Sequence, residues 1–169
     1  MIVAIAGLTL FPLMMAYAAF SDILTMTIPN KLTLALGVAY FGMAAATGQP
    51  LETVLTHVAC AATVLAIAFV MFCMGWMGGG DAKLASAVAL WMGFPLSAEY
   101  LLIASFFGGG LTLAIILGRK QPLPARLVGY AWIERLHNEK TGVPYGLALA
   151  AAGLLLYTET GVWKSLALA

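Results

Sequence analysis

Charge is what this sequence has least of. Its 169 residues hold eight Lys and Arg and seven Asp and Glu, 9% of the chain, against 63% hydrophobic residues. A soluble domain carries about 25% charged residues, and a chain with this few would expose apolar patches and aggregate. The same shortage excludes disorder, because disordered chains are polar and highly charged. A mean hydropathy of +0.99 makes lipid part of the solvent. The net charge of +1 argues neither way on nucleic acid, and no such partner is expected. Cysteine is also scarce: Cys60 and Cys73 cannot build a disulfide framework or a four-ligand zinc site. His57 and His137 fall on opposite sides of the expected bundle, so no metal or other cofactor is expected. Repeats, low-complexity tracts and Ser/Gly linkers are missing too. One domain over residues 1–169 is the expectation.

What is present is a succession of uncharged runs. A membrane helix needs roughly 20 mostly apolar residues to cross about 30 Å of hydrocarbon. Candidate runs are Ile2 to Phe20, Leu32 to Thr47, Val58 to Gly75, Ala85 to Leu96, Leu101 to Gly118 and Val143 to Thr158. The fold class is therefore an all-α integral membrane protein, with about six transmembrane helices in one compact bundle. The second and fourth runs are short. Ala16-Tyr17-Ala18 resembles a signal cleavage site, but no Lys or Arg lies upstream of it, so the first span is expected to be retained. If six spans alternate, Lys31, Lys83, Arg119, Lys120, Arg126, Arg135 and Lys140 share one side and only Lys164 lies opposite. The positive-inside rule makes the crowded side cytoplasmic and places both termini outside.

Acidic residues near the membrane are costly and usually functional or paired. Glu134 and Glu139 sit in the basic loop, and Glu52, Glu99 and Glu159 on the outer side. Asp22 and Asp81 remain, both at cytoplasmic ends of spans. Gly78-Gly79-Gly80 precedes Asp81, and glycine holds a helix poorly. From Asp81 to Ser97, where polarity returns, a helix covers about 24 Å, which puts Asp81 at or just beneath the boundary. Asp22 is followed by Ile28-Pro29-Asn30; Pro29 must end the first span, and Asn30 is a candidate N-cap for the second. Taken singly, Asp22 reads as a solvated helix end and Asp81 as an N-cap. Taken together, two carboxylates sharing one proton can activate water for peptide hydrolysis, one as base and the other as acid.

These residues resemble a known family. Gly78-Gly79-Gly80-Asp81 matches the GxGD motif of intramembrane aspartic proteases, and with Ala82-Lys83-Leu84 it is similar to the GxGDxKL form of type IV prepilin leader peptidases. Asp22 with the later Ile28-Pro29-Asn30 resembles that family's first aspartate motif. Val143-Pro144-Tyr145-Gly146 resembles the Pro-(Tyr/Phe)-Gly segment that opens a late span. The resemblance covers Phe20 to Gly153 and implies catalytic Asp22 and Asp81, with Gly78, Gly80, Lys83, Pro29, Asn30, Pro144, Tyr145 and Gly146 in support. It implies an aspartic endopeptidase of the bacterial inner membrane that cuts short basic leaders from prepilins or pseudopilins at the cytoplasmic face. The CxxC region of larger members is missing, so the chain resembles the short form associated with tight-adherence (Flp) pili, and N-methylation is not carried over. Where the family is often basic before Ile-Pro-Asn, this chain has Thr25-Met26-Thr27.

Several residues keep two readings. Lys83 pairs with a carboxylate or phospholipid headgroup, or only sets topology. Tyr145 reaches the dyad through its hydroxyl, or is an interfacial aromatic. Gly142 and Gly146 form GxxxG, a pattern for close helix approach. Gly108-Gly109-Gly110 suggests packing or a bend. The run Leu127 to Leu136 reads as a short helix on the membrane surface, a gate or an anchor. Two other functions stay open. A small ion-coupled transporter would place carboxylates near the midplane. A non-catalytic pilus-assembly subunit would pair its aspartates with Lys31 and Lys83.

Overall fold

The computed structural model describes residues 2–167. The described residues form seven α-helices: α1 Ile2–Thr25, α2 Asn30–Ala46, α3 Leu51–Cys73, α4 Gly79–Arg119, α5 Ala131–His137, α6 Tyr145–Tyr157 and α7 Gly161–Ala167. One 3-10 turn, Ala125–Leu127, precedes α5, and no strand occurs among the described residues. All six expected apolar runs lie on helices, in a membrane helical bundle. Three helices are long and apolar enough to cross a membrane by themselves: Gly7–Thr25, Leu51–Cys73 and Gly79–Arg119; Tyr145–Tyr157 is apolar but shorter. Large apolar side chains such as Leu13, Phe20, Leu34, Val38, Phe69 and Phe106 stand exposed on the outside. Water would not tolerate that surface; hydrocarbon does.

The expected fourth and fifth runs, Ala85 to Leu96 and Leu101 to Gly118, are both contained in the 41 residues of α4. The chain breaks at Gly93 (φ 65°, ψ 177°), a conformation that only glycine adopts readily. A Cβ there would also lie 2.7 Å from His57 Nε2. Pro95, two residues on, lacks an N–H for the helical ladder and its ring crowds the preceding turn. The break reverses α4. A straight helix would carry Ala104 about 34 Å from Asp81, yet the two line one cavity. The loop expected between Leu96 and Leu101 is thus a tight reversal a few residues earlier.

α3 runs antiparallel to the first half of α4. His57 Nδ1 meets the Leu90 carbonyl at 2.8 Å, Ser86 Oγ donates to the Ala61 carbonyl at 2.9 Å, and the Phe72 ring packs on Gly79. The core is aromatic. Phe11 of α1 stacks on Tyr157 of α6 at 4.4 Å between ring centres and tilts against Trp91 of α4 at 5.1 Å. Trp91 is fully buried, and its Nε1 donates to the Leu36 carbonyl of α2 at 3.1 Å. These contacts join four helices and answer the polar atom of the indole. Helix α7, which the apolar runs did not announce, begins where Thr160 Oγ1 accepts from the Trp163 amide at 3.2 Å. It packs back on α1, with Leu166 against Gly7.

Gly93→Ala should destabilise the fold by about 1–3 kcal/mol, the cost of a side chain in such a backbone region. Gly110→Ala, in open space on the same helix, should be neutral or stabilising by up to about 1 kcal/mol. Thermal denaturation of both variants in detergent checks the contrast.

Candidate active site

Asp22 lies in the last turn of α1 and is only 5% exposed. A solvated helix end, the simplest reading of this residue alone, is therefore wrong: neighbouring helices cover it. Its Oδ2 accepts a hydrogen bond of 2.7 Å from the Gly146 amide. That amide is one of the first four N–H groups of α6, which have no partner within their own helix. The carboxylate of α1 thus completes the start of α6. The approach leaves no space for a side chain: a Cβ on Gly146 would lie 2.8 Å from Asp22 Oδ2 and 2.7 Å from Ile28 Cδ1. Pro144 precedes the helix as its N-cap residue, a place where its missing N–H costs little.

Asp81 is the third residue of α4 and is partly buried. The N-cap is Gly78, not Asp81, because the helix begins three residues earlier than an aspartate cap would require. The motif glycines make room. A Cβ on Gly78 would come within 2.9 Å of Asp81 Oδ2, and one on Gly80 within 3.3 Å of Ile28 Cβ. The first turn of α4 therefore rests directly on Ile28, in the loop that leaves Asp22. Lys83 adds a second link, donating from Nζ to Asn30 Oδ1 at 2.9 Å. Its partner is a neutral amide rather than a carboxylate. Asn30 is not the N-cap of α2 either. Pro29 takes that place with an extended backbone (φ −63°, ψ 134°), and Asn30 enters the helix with its side chain turned to Lys83.

Asp22, Asp81, Asn30, Gly78, Gly80 and Tyr145 line one cavity of about 880 Å³. The remaining wall comes from Met26, Met71, Trp76, Leu101, Ala104, Ser105 and Gly142, among others. Both α4 halves contribute, which the reversal at Gly93 makes possible. The Tyr145 ring fits against Gly108: a Cβ there would lie 2.0 Å from Tyr145 Cζ. Among the described residues its hydroxyl bonds to neither aspartate. Of the two readings of Gly108, packing is the one the structure shows: it is the space that Tyr145 fills. Gly142 lies outside α6 and has nothing within 4 Å of a Cβ, so GxxxG does not describe a helix face here. Ser97, where polarity returned, is buried beside Cys60 Sγ at 3.1 Å.

The sequence pattern missed two arginines. Arg119, at the end of α4, donates through Nε to the Leu136 carbonyl at 2.8 Å and through Nη2 to the carbonyls of Thr141 and Gly142, each at 3.1 Å. Arg135 of α5 donates to the Leu24 carbonyl of α1 at 2.7 Å. Both had been read only as topology-setting charges, and no spacing signal pairs residues 111 positions apart. Among the described residues no three or more His, Cys, Asp or Glu gather in a metal-binding group.

Gly146→Ala should destabilise by about 1–3 kcal/mol, the usual cost of overpacking, while Gly142→Ala stays within about 0.5 kcal/mol. Thermal unfolding of the two purified variants separates them. Comparison with curated proteins and with solved structures returns no match. The type IV leader peptidase family matches residues 9–113, a stretch that holds both aspartates, Ile28-Pro29-Asn30 and Lys83. With that match spanning more than half of its length, the chain belongs to the type IV leader peptidase family.

Proposed function

We propose that this membrane peptidase removes the short basic leader of prepilins or pseudopilins, with water activated by Asp22 and Asp81. The carrying observation is that these two carboxylates, 59 positions apart in the sequence, line the same cavity. One takes a proton from water while the other protonates the scissile carbonyl oxygen, and the pair titrates as a unit. The resulting hydroxide adds to the carbonyl carbon; the carboxyl that took the water proton then gives it to the amide nitrogen, the C–N bond breaks to release the new amino terminus, and the other carboxylate recovers its proton from the intermediate's hydroxyl as the carboxyl product forms.

The reading extends to the membrane. The first half of α4, from Asp81 to Gly93, and the 13-residue α6 each span only about 20 Å. A site carried by such short elements is recessed below the hydrocarbon boundary, where a substrate helix must unwind to be cut. Seven of the eight basic residues belong to the segments at the Asp22 end, and Lys164 to α7. By the positive-inside rule the site then faces the cytoplasm and the termini the outside. The assembly-subunit alternative needs aspartates paired with lysines. Lys83 instead bonds Asn30, and neither aspartate forms an ion pair among the described residues.

Leader cleavage of a co-expressed Flp-type prepilin tests the proposal. Asp22→Asn and Asp81→Asn should each reduce cleavage about 100-fold or more, the scale of a lost general acid or base. Asparagine at position 22 keeps an oxygen for the Gly146 amide, so fold and activity are separable. Full cleavage by both variants, at matched membrane levels in a host without another prepilin peptidase, would sink the dyad.

A further inference from the structure

We infer that Arg135 is a positioning residue for Asp22, acting through the last turn of α1; the inference builds on the catalytic reading above. Helix α1 ends abruptly. Thr25 is its last residue, and Met26 follows at φ 54°, a left-handed backbone that a side chain adopts only under constraint. Met26 also lines the cavity, and its amide donates to the Asp22 carbonyl at 2.8 Å. The turn that carries the aspartate is therefore strained. Ser21 Oγ donates to the Thr27 carbonyl at 2.8 Å. What the turn lacks is a cation: no basic residue lies in the last turn of α1, where one would match the negative end of the helix dipole.

Arg135 supplies it from α5. Its Nη1 donates at 2.7 Å to the Leu24 carbonyl, one of the last four of α1 and otherwise without a helical partner. Helix α5, which carries the guanidinium, is itself anchored. Arg119 Nε holds the Leu136 carbonyl, Thr141 Oγ1 donates to the Arg135 carbonyl, and Glu134 Oε1 accepts the Gly129 amide at 2.8 Å. Arg119 also grips the Gly142 carbonyl, four residues before the amide that binds the Asp22 carboxylate. The Leu24 carbonyl, two residues beyond Asp22, and the Asp22 carboxylate are thus both referred to one residue at the end of α4. The opposite end of that same helix carries Asp81, returned to the site by the reversal at Gly93. Through this circuit α5 sets where Asp22 stands relative to Asp81.

The experiment uses the full chain in detergent, with hydrogen exchange of residues 20–28 and 143–149 measured beside prepilin cleavage. Arg135→Gln should raise exchange of the 20–28 amides and lower kcat about tenfold or more, as for a misplaced catalytic group, with KM changed less than twofold. Arg135→Lys, which keeps a donor and a charge, should recover most of kcat. Arg126→Gln, exposed in the same loop, should match wild type in both readouts. Unchanged exchange at 20–28 in Arg135→Gln overturns the inference, and so does a raised KM at constant kcat, which would make Arg135 a substrate contact. Exchange rising equally over every helix also overturns it, with Arg135 then a general support of the fold. Should wild type cleave no prepilin, the catalytic proposal falls, while the exchange of residues 20–28 still decides the tie between Arg135 and the Asp22 turn.

Discussion

One buried hydrogen bond, from the Gly146 amide to the Asp22 carboxylate, constrains the rest of the site. It joins the end of α1 to the start of α6 across 124 positions of sequence. A charged or polar group taken from water is costly unless it finds a partner, and each of these two answers the other. The bond explains why position 146 tolerates no side chain, since the carboxylate and Ile28 occupy that space. It also explains why Ile28 points inward, where Gly80 can rest on it. From one contact the loop after Asp22, the GxGD turn and the Pro-Tyr-Gly segment are drawn around one cavity.

The second constraint is the reversal of α4. Gly93 and Pro95 turn the helix so that its two ends return to the same end of the bundle. One end brings Asp81 and Lys83; the returning half brings Ala104, Ser105 and Gly108, and finally Arg119. Helix packing in lipid relies on close fit, because hydrocarbon offers no hydrophobic drive between helices. The glycines at 108 and 146 supply that fit where Tyr145 and Asp22 approach. Activity and stability therefore draw on the same contacts.

A chain so short of charge uses several of its ions internally. Lys83, Arg119 and Arg135 donate to an amide or to backbone carbonyls, and Glu134 accepts a backbone amide. Helix ends leave carbonyls and amides unanswered, and in a bundle these ends meet the loops rather than water. Among the described residues the one ion pair, Lys164 with Glu159 at 2.9 Å, is exposed at the far end. Such a pair contributes little to stability.

Sequence by itself determined what composition and local chemistry dictate. Charge poverty and apolar runs required a helical membrane bundle, and Gly78-Gly79-Gly80-Asp81, Asp22, Ile28-Pro29-Asn30 and Pro144-Tyr145-Gly146 marked the residues that now line or border one cavity. Those signals are legible because each reflects a local need: a break, a cap, a space for a carboxylate. Tertiary structure decided the rest. Asp22 is buried rather than solvated, Gly78 rather than Asp81 caps α4, and Lys83 answers Asn30 rather than a carboxylate. The turn between the fourth and fifth spans fell at Gly93 rather than between Leu96 and Leu101, and the arginines of the basic loop became ties to α1 and to Gly142. Each depends on which distant group completes an unsatisfied carbonyl, amide or gap, and periodicity along the chain carries no information on that choice.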